Sequence, residues 1–138
     1  MDCTSFRYLL SLTVQLSLET QLLDVITAYL YGDLETELYI KPPPEFLPRL
    51  APASPGHFNG LRICKALYGL KQAGRAWYHH LKSYLVSHGF QTHPALPCIF
   101  VLKEDKQFVI LVVYVDDLNS IGTTALSKRD ELAVLRCG

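Results

Sequence analysis

Between Phe46 and Lys103 the chain has no aspartate or glutamate, although its formal net charge is zero. Arg49, Arg62, Lys65, Lys71, Arg75, Lys82, Lys103 and all five histidines stand in that span. The first 45 residues reverse the balance, with Asp2, Glu19, Asp24, Asp33, Glu35, Glu37 and Glu45 against Arg7 and Lys41. Neutrality overall excludes a generic polycation. A basic span presented on one face would still make a local field suited to a phosphate backbone, whereas the plainer alternative is a set of solvated helix and loop positions. Cysteine is also scarce. Cys3, Cys64, Cys98 and Cys137 show no C-x-x-C pair and no paired-histidine spacing, which excludes a zinc finger and predicts reduced thiols, with Cys98 in the core. No apolar run nears twenty residues, and no charged, apolar and cleavable segment opens the chain, so an intracellular protein without a membrane partner is expected. The 138 residues, 49% hydrophobic and 19% charged, are enough for one globular domain spanning 1–138.

Phe108–Val115 is eight consecutive apolar or aromatic residues that run directly into Asp116-Asp117. A run so rich in β-branched residues predicts a strand buried on both faces. It carries two carboxylates to the edge of a core, where their repulsion calls for a cation. Asp-Asp is also an ordinary turn dipeptide, so a metal site needs a third carboxylate from elsewhere. Asp24 supplies one, because Gln21–Val25 predicts a short buried strand, and two such strands side by side would bring Asp24 to Asp116.

Around these strands, Thr4–Leu18 mixes helical and alternating spacing and predicts a helix that gives way near Gln15. Thr27–Asp33 predicts a tight turn or single helical turn closed by Gly32. Leu38-Tyr39-Ile40 is strand-like and is stopped by Pro42-Pro43-Pro44, which open a Pro-rich loop over 42–60. Ala73, Ala76, Trp77, Leu81, Tyr84, Leu85 and His88 keep helical spacing, with Gly89 at the expected cap. Cys98–Leu102 and Gln107–Val115 form a hairpin, followed by a weak return strand from Leu118, since Asn119, Ser120 and Gly122 have low strand propensity. Ala125–Arg136 predicts a short helix.

The strings Leu23-Asp24-Val25-Ile26-Thr27-Ala28-Tyr29-Leu30-Tyr31-Gly32-Asp33-Leu34, Lys65-Ala66-Leu67-Tyr68-Gly69-Leu70-Lys71-Gln72-Ala73-Gly74-Arg75-Ala76-Trp77-Tyr78, Pro97-Cys98-Ile99-Phe100 and Tyr114-Val115-Asp116-Asp117 resemble, in that order, the reverse transcriptase of copia-type LTR retrotransposons. The resemblance implies an α+β fold: the antiparallel palm-like sheet of a right-hand polymerase packed on helices, incomplete here because fingers and thumb are missing. It also implies RNA-directed DNA polymerisation by two-metal nucleotidyl transfer, with two Mg²⁺ ions, Mn²⁺ being possible, held by Asp24, Asp116 and Asp117. Asp24 and Asp116 would bridge the ions and Asp117 would be more peripheral. Mg²⁺ suits this role because it takes hard oxygen ligands and usually only one or two carboxylates beside phosphate and water.

The same resemblance places Thr27 and Ala28 at the triphosphate through backbone N–H groups. Tyr29 would lie under the incoming sugar, Gln72 against the nucleotide, Tyr114 along the primer–template path, and Lys71 and Arg75 near the template strand. The implied partners are an RNA/DNA primer-template and a deoxynucleoside triphosphate, with missing polymerase parts or another protein covering the exposed sheet. Ile26, Tyr29, Gly74 and Leu96 depart from the residues common in the family, and Leu118-Asn119-Ser120-Ile121-Gly122 replaces an apolar stretch, which would weaken support for the aspartates. The alternative is a catalytically inactive retroelement remnant that at most binds nucleic acid or a protein. A different metal-dependent nuclease or phosphotransferase would have no use for the Gln72 block.

Overall fold

A computed structural model describes residues 3–45 and 60–123. Helix α1 spans Cys3–Gln15. It ends where Ser17 adopts a left-handed φ of 49°, the Ser17 N–H bonds the Val14 carbonyl and the Leu18 N–H reaches back to that of Thr13. This paired closure usually uses glycine, so no glycine marks the stop in the sequence. The chain enters strand β1 (Glu19–Asp24), makes one 3₁₀ turn over Ala28–Tyr31, and continues as β2 (Asp33–Ile40) and β3 (Leu61–Lys65). Helix α2 covers Ala73–Ser87, and strands β4 (Gln91–His93), β5 (Leu96–Glu104), β6 (Gln107–Tyr114) and β7 (Asp117–Gly122) follow.

Five strands form one antiparallel sheet in the order β1-β7-β6-β5-β4, and β2 and β3 pair as a separate two-stranded ribbon. Helix α2 supplies Trp77, Leu81 and Leu85 to a core shared with Leu23, Phe100, Leu102, Val109, Leu111, Val113 and Leu118 of the sheet. Each large apolar side chain buried this way contributes about 1.5–3 kcal/mol. The helix closes as its sequence predicts: Gly89 takes φ 90°, the Phe90 N–H bonds the Leu85 carbonyl, and both side chains are buried.

Gly32 closes the 3₁₀ turn for a different reason from the one expected. Its φ is −74°, which any residue adopts, but a Cβ there would stand 2.8 Å from the Trp77 backbone nitrogen and 2.9 Å from Ala76. Glycine is required because α2 passes against the turn.

Several expectations need correction. Strand β1 is an edge strand that pairs with β7 and not with β6, and Leu22 is 74% exposed where a buried strand was expected. The return strand expected from Leu118 is present as β7 and is not weakly held. It is bonded on both sides, to β1 and β6, with Leu118, Ser120 and Ile121 buried, so two ladders outweigh local propensity. Its unfavourable residues have tertiary reasons: Thr20 of β1 donates to the Asn119 side chain at 3.0 Å, and a Cβ on Gly122 would strike the Phe108 carbonyl and Val109. Strands β3 and β4 have no counterpart in the sequence reading. Cys98 is only half-buried. Of the Pro-rich loop, residues 46–59 lie outside the described residues, as does the helix expected over Ala125–Arg136.

Candidate active site at the β6–β7 turn

Register fixes the orientation of the acidic residues. Across β1, β7 and β6, Leu23 is opposite Leu118, and Leu118 is opposite Val113; all three are buried against α2. Side chains alternate along a strand, so the next row, Asp24–Asp117–Tyr114, faces away from that core. All three residues are exposed. Asp24 and Asp117 are direct cross-strand partners, a relation that holds Cβ atoms about 4.5–5.5 Å apart.

Asp116 sits beside this row, in the two-residue turn with Val115. Val115 has φ 56°, a left-handed value that is an outlier for a β-branched residue. The turn is pinned from both sides. The Trp77 indole Nε1–H donates to the Val115 carbonyl at 2.7 Å, and the Val25 N–H donates to the Asp116 carbonyl at 2.9 Å. The Asp116 carboxylate in turn accepts a hydrogen bond at Oδ2 from the Tyr68 hydroxyl, 2.9 Å away. Tyr68 lies in the loop joining β3 to α2, and its ring centroid is 4.4 Å from that of Tyr29. The Tyr68 hydroxyl is pushed above its ordinary pKa, first by its bond to Asp116, with Asp24 adding to the effect.

The remaining sequence candidates fall in two places. Thr27, with φ 57°, precedes the 3₁₀ turn that holds buried Ala28 and half-buried Tyr29. Lys71, Gln72 and Arg75 line a cleft of about 540 Å³ between the start of α2 and Asp33–Thr36 of β2, together with His79, His80 and Ser83. None of the three aspartates lines that cleft. At its edge Lys65 is ion-paired with Asp33 and holds that carboxylate below its ordinary range.

Tyr68 and the backbone-anchoring function of Trp77 were not singled out from the sequence. Tyr68 appears there only inside a longer string, and Trp77 reads simply as core. The donors at the turn are hard carboxylate oxygens, the kind Mg²⁺ takes. Among the described residues, no group of three His, Cys, Asp or Glu side chains is gathered closely enough to hold a metal ion. The oxygen donors suit a divalent cation chemically, but the expected gathering of Asp24, Asp116 and Asp117 into one metal-holding group is not seen among the described residues.

The family model for reverse transcriptase (RNA-dependent DNA polymerase) matches residues 1–130. The chain is 40% identical over 120 residues to the retrovirus-related Pol polyprotein from transposon TNT 1-94 of Nicotiana tabacum, a match covering 86% of this chain and 9% of that polyprotein. It is 42% identical over 119 residues to the corresponding polyprotein from transposon RE1 of Arabidopsis thaliana, covering 86% of this chain and 8% of the relative. Over 121 residues it is 37% identical to the Ty1-MR1 Gag-Pol polyprotein of Saccharomyces cerevisiae, covering 83% of this chain and 6% of the relative. The chain thus spans less than a tenth of the length of these relatives. No solved structure matches it.

Proposed function

Because this chain belongs to the reverse transcriptase (RNA-dependent DNA polymerase) family, in its copia-type branch, we propose that it is the palm segment of an RNA-directed DNA polymerase. The observation that carries the proposal is the β1–β7 register, which sets Asp24 opposite Asp117 with Asp116 in the adjoining turn. Like charges placed directly across a ladder destabilise it. Two carboxylates set opposite each other at one solvent-facing end fit a cation ligand better than a structural pair.

In this reading Asp24, Asp116 and Asp117 hold divalent cations, Mg²⁺ or Mn²⁺. Bound there, such ions supply the Lewis acidity that makes a primer hydroxyl nucleophilic and the charge that offsets the triphosphate and its leaving oxygen. The chain's own residues do the rest by placement. Thr27 and Ala28 offer backbone N–H groups to the triphosphate. Tyr29 lies under the sugar, where its ring leaves no room for a 2′-hydroxyl, and Gln72 orients the nucleotide. Tyr114, next to Asp117 across the ladder and 67% exposed, lies along the primer–template path. Lys71 and Arg75 draw the template strand towards the cleft at the start of α2 through charge that weakens with added salt.

A second reading is favoured by the open arrangement of the three carboxylates: a remnant that binds nucleic acid without catalysis. Primer extension on an oligo(dT)-primed RNA template with Mg²⁺ or Mn²⁺ separates the two. The polymerase reading expects incorporation that Asp116→Asn abolishes. No incorporation, with salt-sensitive RNA binding intact, establishes the remnant instead.

A further inference from the structure

We propose that Tyr68 is a positioning residue for Asp116, its hydroxyl holding the carboxylate in the orientation in which it takes a divalent cation. The inference rests on the reading of Asp116 as a cation ligand and adds a residue to which that reading gives no part.

The backbone of the turn is already fixed by Trp77 at the Val115 carbonyl and by Val25 at that of Asp116. What those bonds leave free is the rotation of the Asp116 side chain about its own two torsions. Tyr68 removes that freedom by donating to Oδ2 at 2.9 Å, and it leaves Oδ1 open to a ligand. Among the described residues, neither Asp24 nor Asp117 has a comparable side-chain donor, so Asp116 alone is oriented in this way.

Packing does not account for the hydroxyl. Tyr68 is 54% exposed, and its contact with Tyr29 is ring to ring, a contact phenylalanine would make equally well. Its support is nevertheless firm. The Ala66 N–H ties the start of the loop to the Gly32 carbonyl at 2.9 Å, and the Tyr29 ring it rests on follows fully buried Ala28. A donor mounted on such a base restrains a carboxylate in the manner of an outer-shell partner, whose removal typically costs 10–100-fold in metal affinity.

The test is cation binding by the chain in three forms: unaltered, Tyr68→Phe and Asp116→Asn. Binding is followed by electron paramagnetic resonance of free Mn²⁺ and by calorimetry with Mg²⁺. The expected result is that Y68F weakens Mn²⁺ binding by about 10–100-fold while keeping the melting temperature of the parent. In the cation-free protein, the ¹³C carboxyl resonance of Asp116 should also shift in Y68F while those of Asp24 and Asp117 stay in place. Unchanged affinity overturns the proposal. So does tighter binding, which would mean that the hydroxyl competes with the cation for Oδ2. If D116N binds Mn²⁺ as well as the unaltered chain, or neither binds it, the ligand reading of Asp116 itself fails and this inference falls with it, an outcome distinct from a failure confined to Y68F.

Discussion

Asp24 and Asp117 oppose each other across a ladder whose neighbouring row, Leu23–Leu118, is buried. The apolar row fixes the register, and the register forces the charges together, so the fold bears an electrostatic cost at this end. Asp24→Asn relieves it. We expect the variant to be more stable by a few tenths to about 1 kcal/mol in cation-free buffer, with the gain shrinking as salt screens the pair. It should bind Mn²⁺ more weakly than the parent. Chemical denaturation at two ionic strengths checks this, and a variant less stable than the parent would remove the strain argument. All three acids were legible in the sequence because an apolar strand running into a carboxylate is a local pattern. Tyr68 was not, since the group that gives its hydroxyl a purpose lies 48 residues away and no spacing rule connects a loop tyrosine to a distant turn.

Elements were readable where their own residues decide them. Helix α2 shows its apolar stripe and its Gly89 cap, and the β5–β6 hairpin follows from two strong strand formers. Strand β7 was misjudged because Asn119, Ser120 and Gly122 are poor strand residues taken singly, while ladders on both sides and close approach to Phe108 hold them in place. The β6–β7 turn carries a similar conflict. Val115 sits at φ 56° at the first of two turn positions, where a hairpin with this pattern favours glycine. Left-handed backbone costs an L-residue roughly 1–2 kcal/mol, and Val115, 38% exposed, recovers little of it by burial. Val115→Gly should therefore raise the unfolding free energy by up to about that amount. A urea melt shows the effect as a higher midpoint at unchanged slope, and a lower midpoint would show that the side chain stabilises the turn more than its backbone strains it.

On the scale of the molecule, the sequence predicts one sheet, and the structure has a five-stranded sheet plus a separate ribbon. The split was not legible because β3 (Leu-Arg-Ile-Cys-Lys) alternates too weakly to read as a strand, and its pairing with β2 joins residues separated by the Pro-rich segment. Stability should divide along the same line. Strands β5 and β6 supply Phe100, Leu102, Val109, Leu111 and Val113 to the core, whereas β2 has no buried residue and β3 buries only Ile63, which is not part of that cluster. Within the ribbon Lys65 pairs with Asp33, and the Ala66 N–H bonds the Gly32 carbonyl just beyond it; an exposed ion pair adds little. Free energies of local opening follow buried apolar contact, so the ribbon should open while the sheet stays closed. Hydrogen exchange followed by mass spectrometry is expected to show peptides spanning 33–40 exchanging well before those spanning 99–113. That order would leave one wall of the Lys71–Arg75 cleft mobile against a rigid helix. Equal protection of the two segments would mean instead that ribbon and sheet unfold as one unit and that the cleft is rigid on both walls.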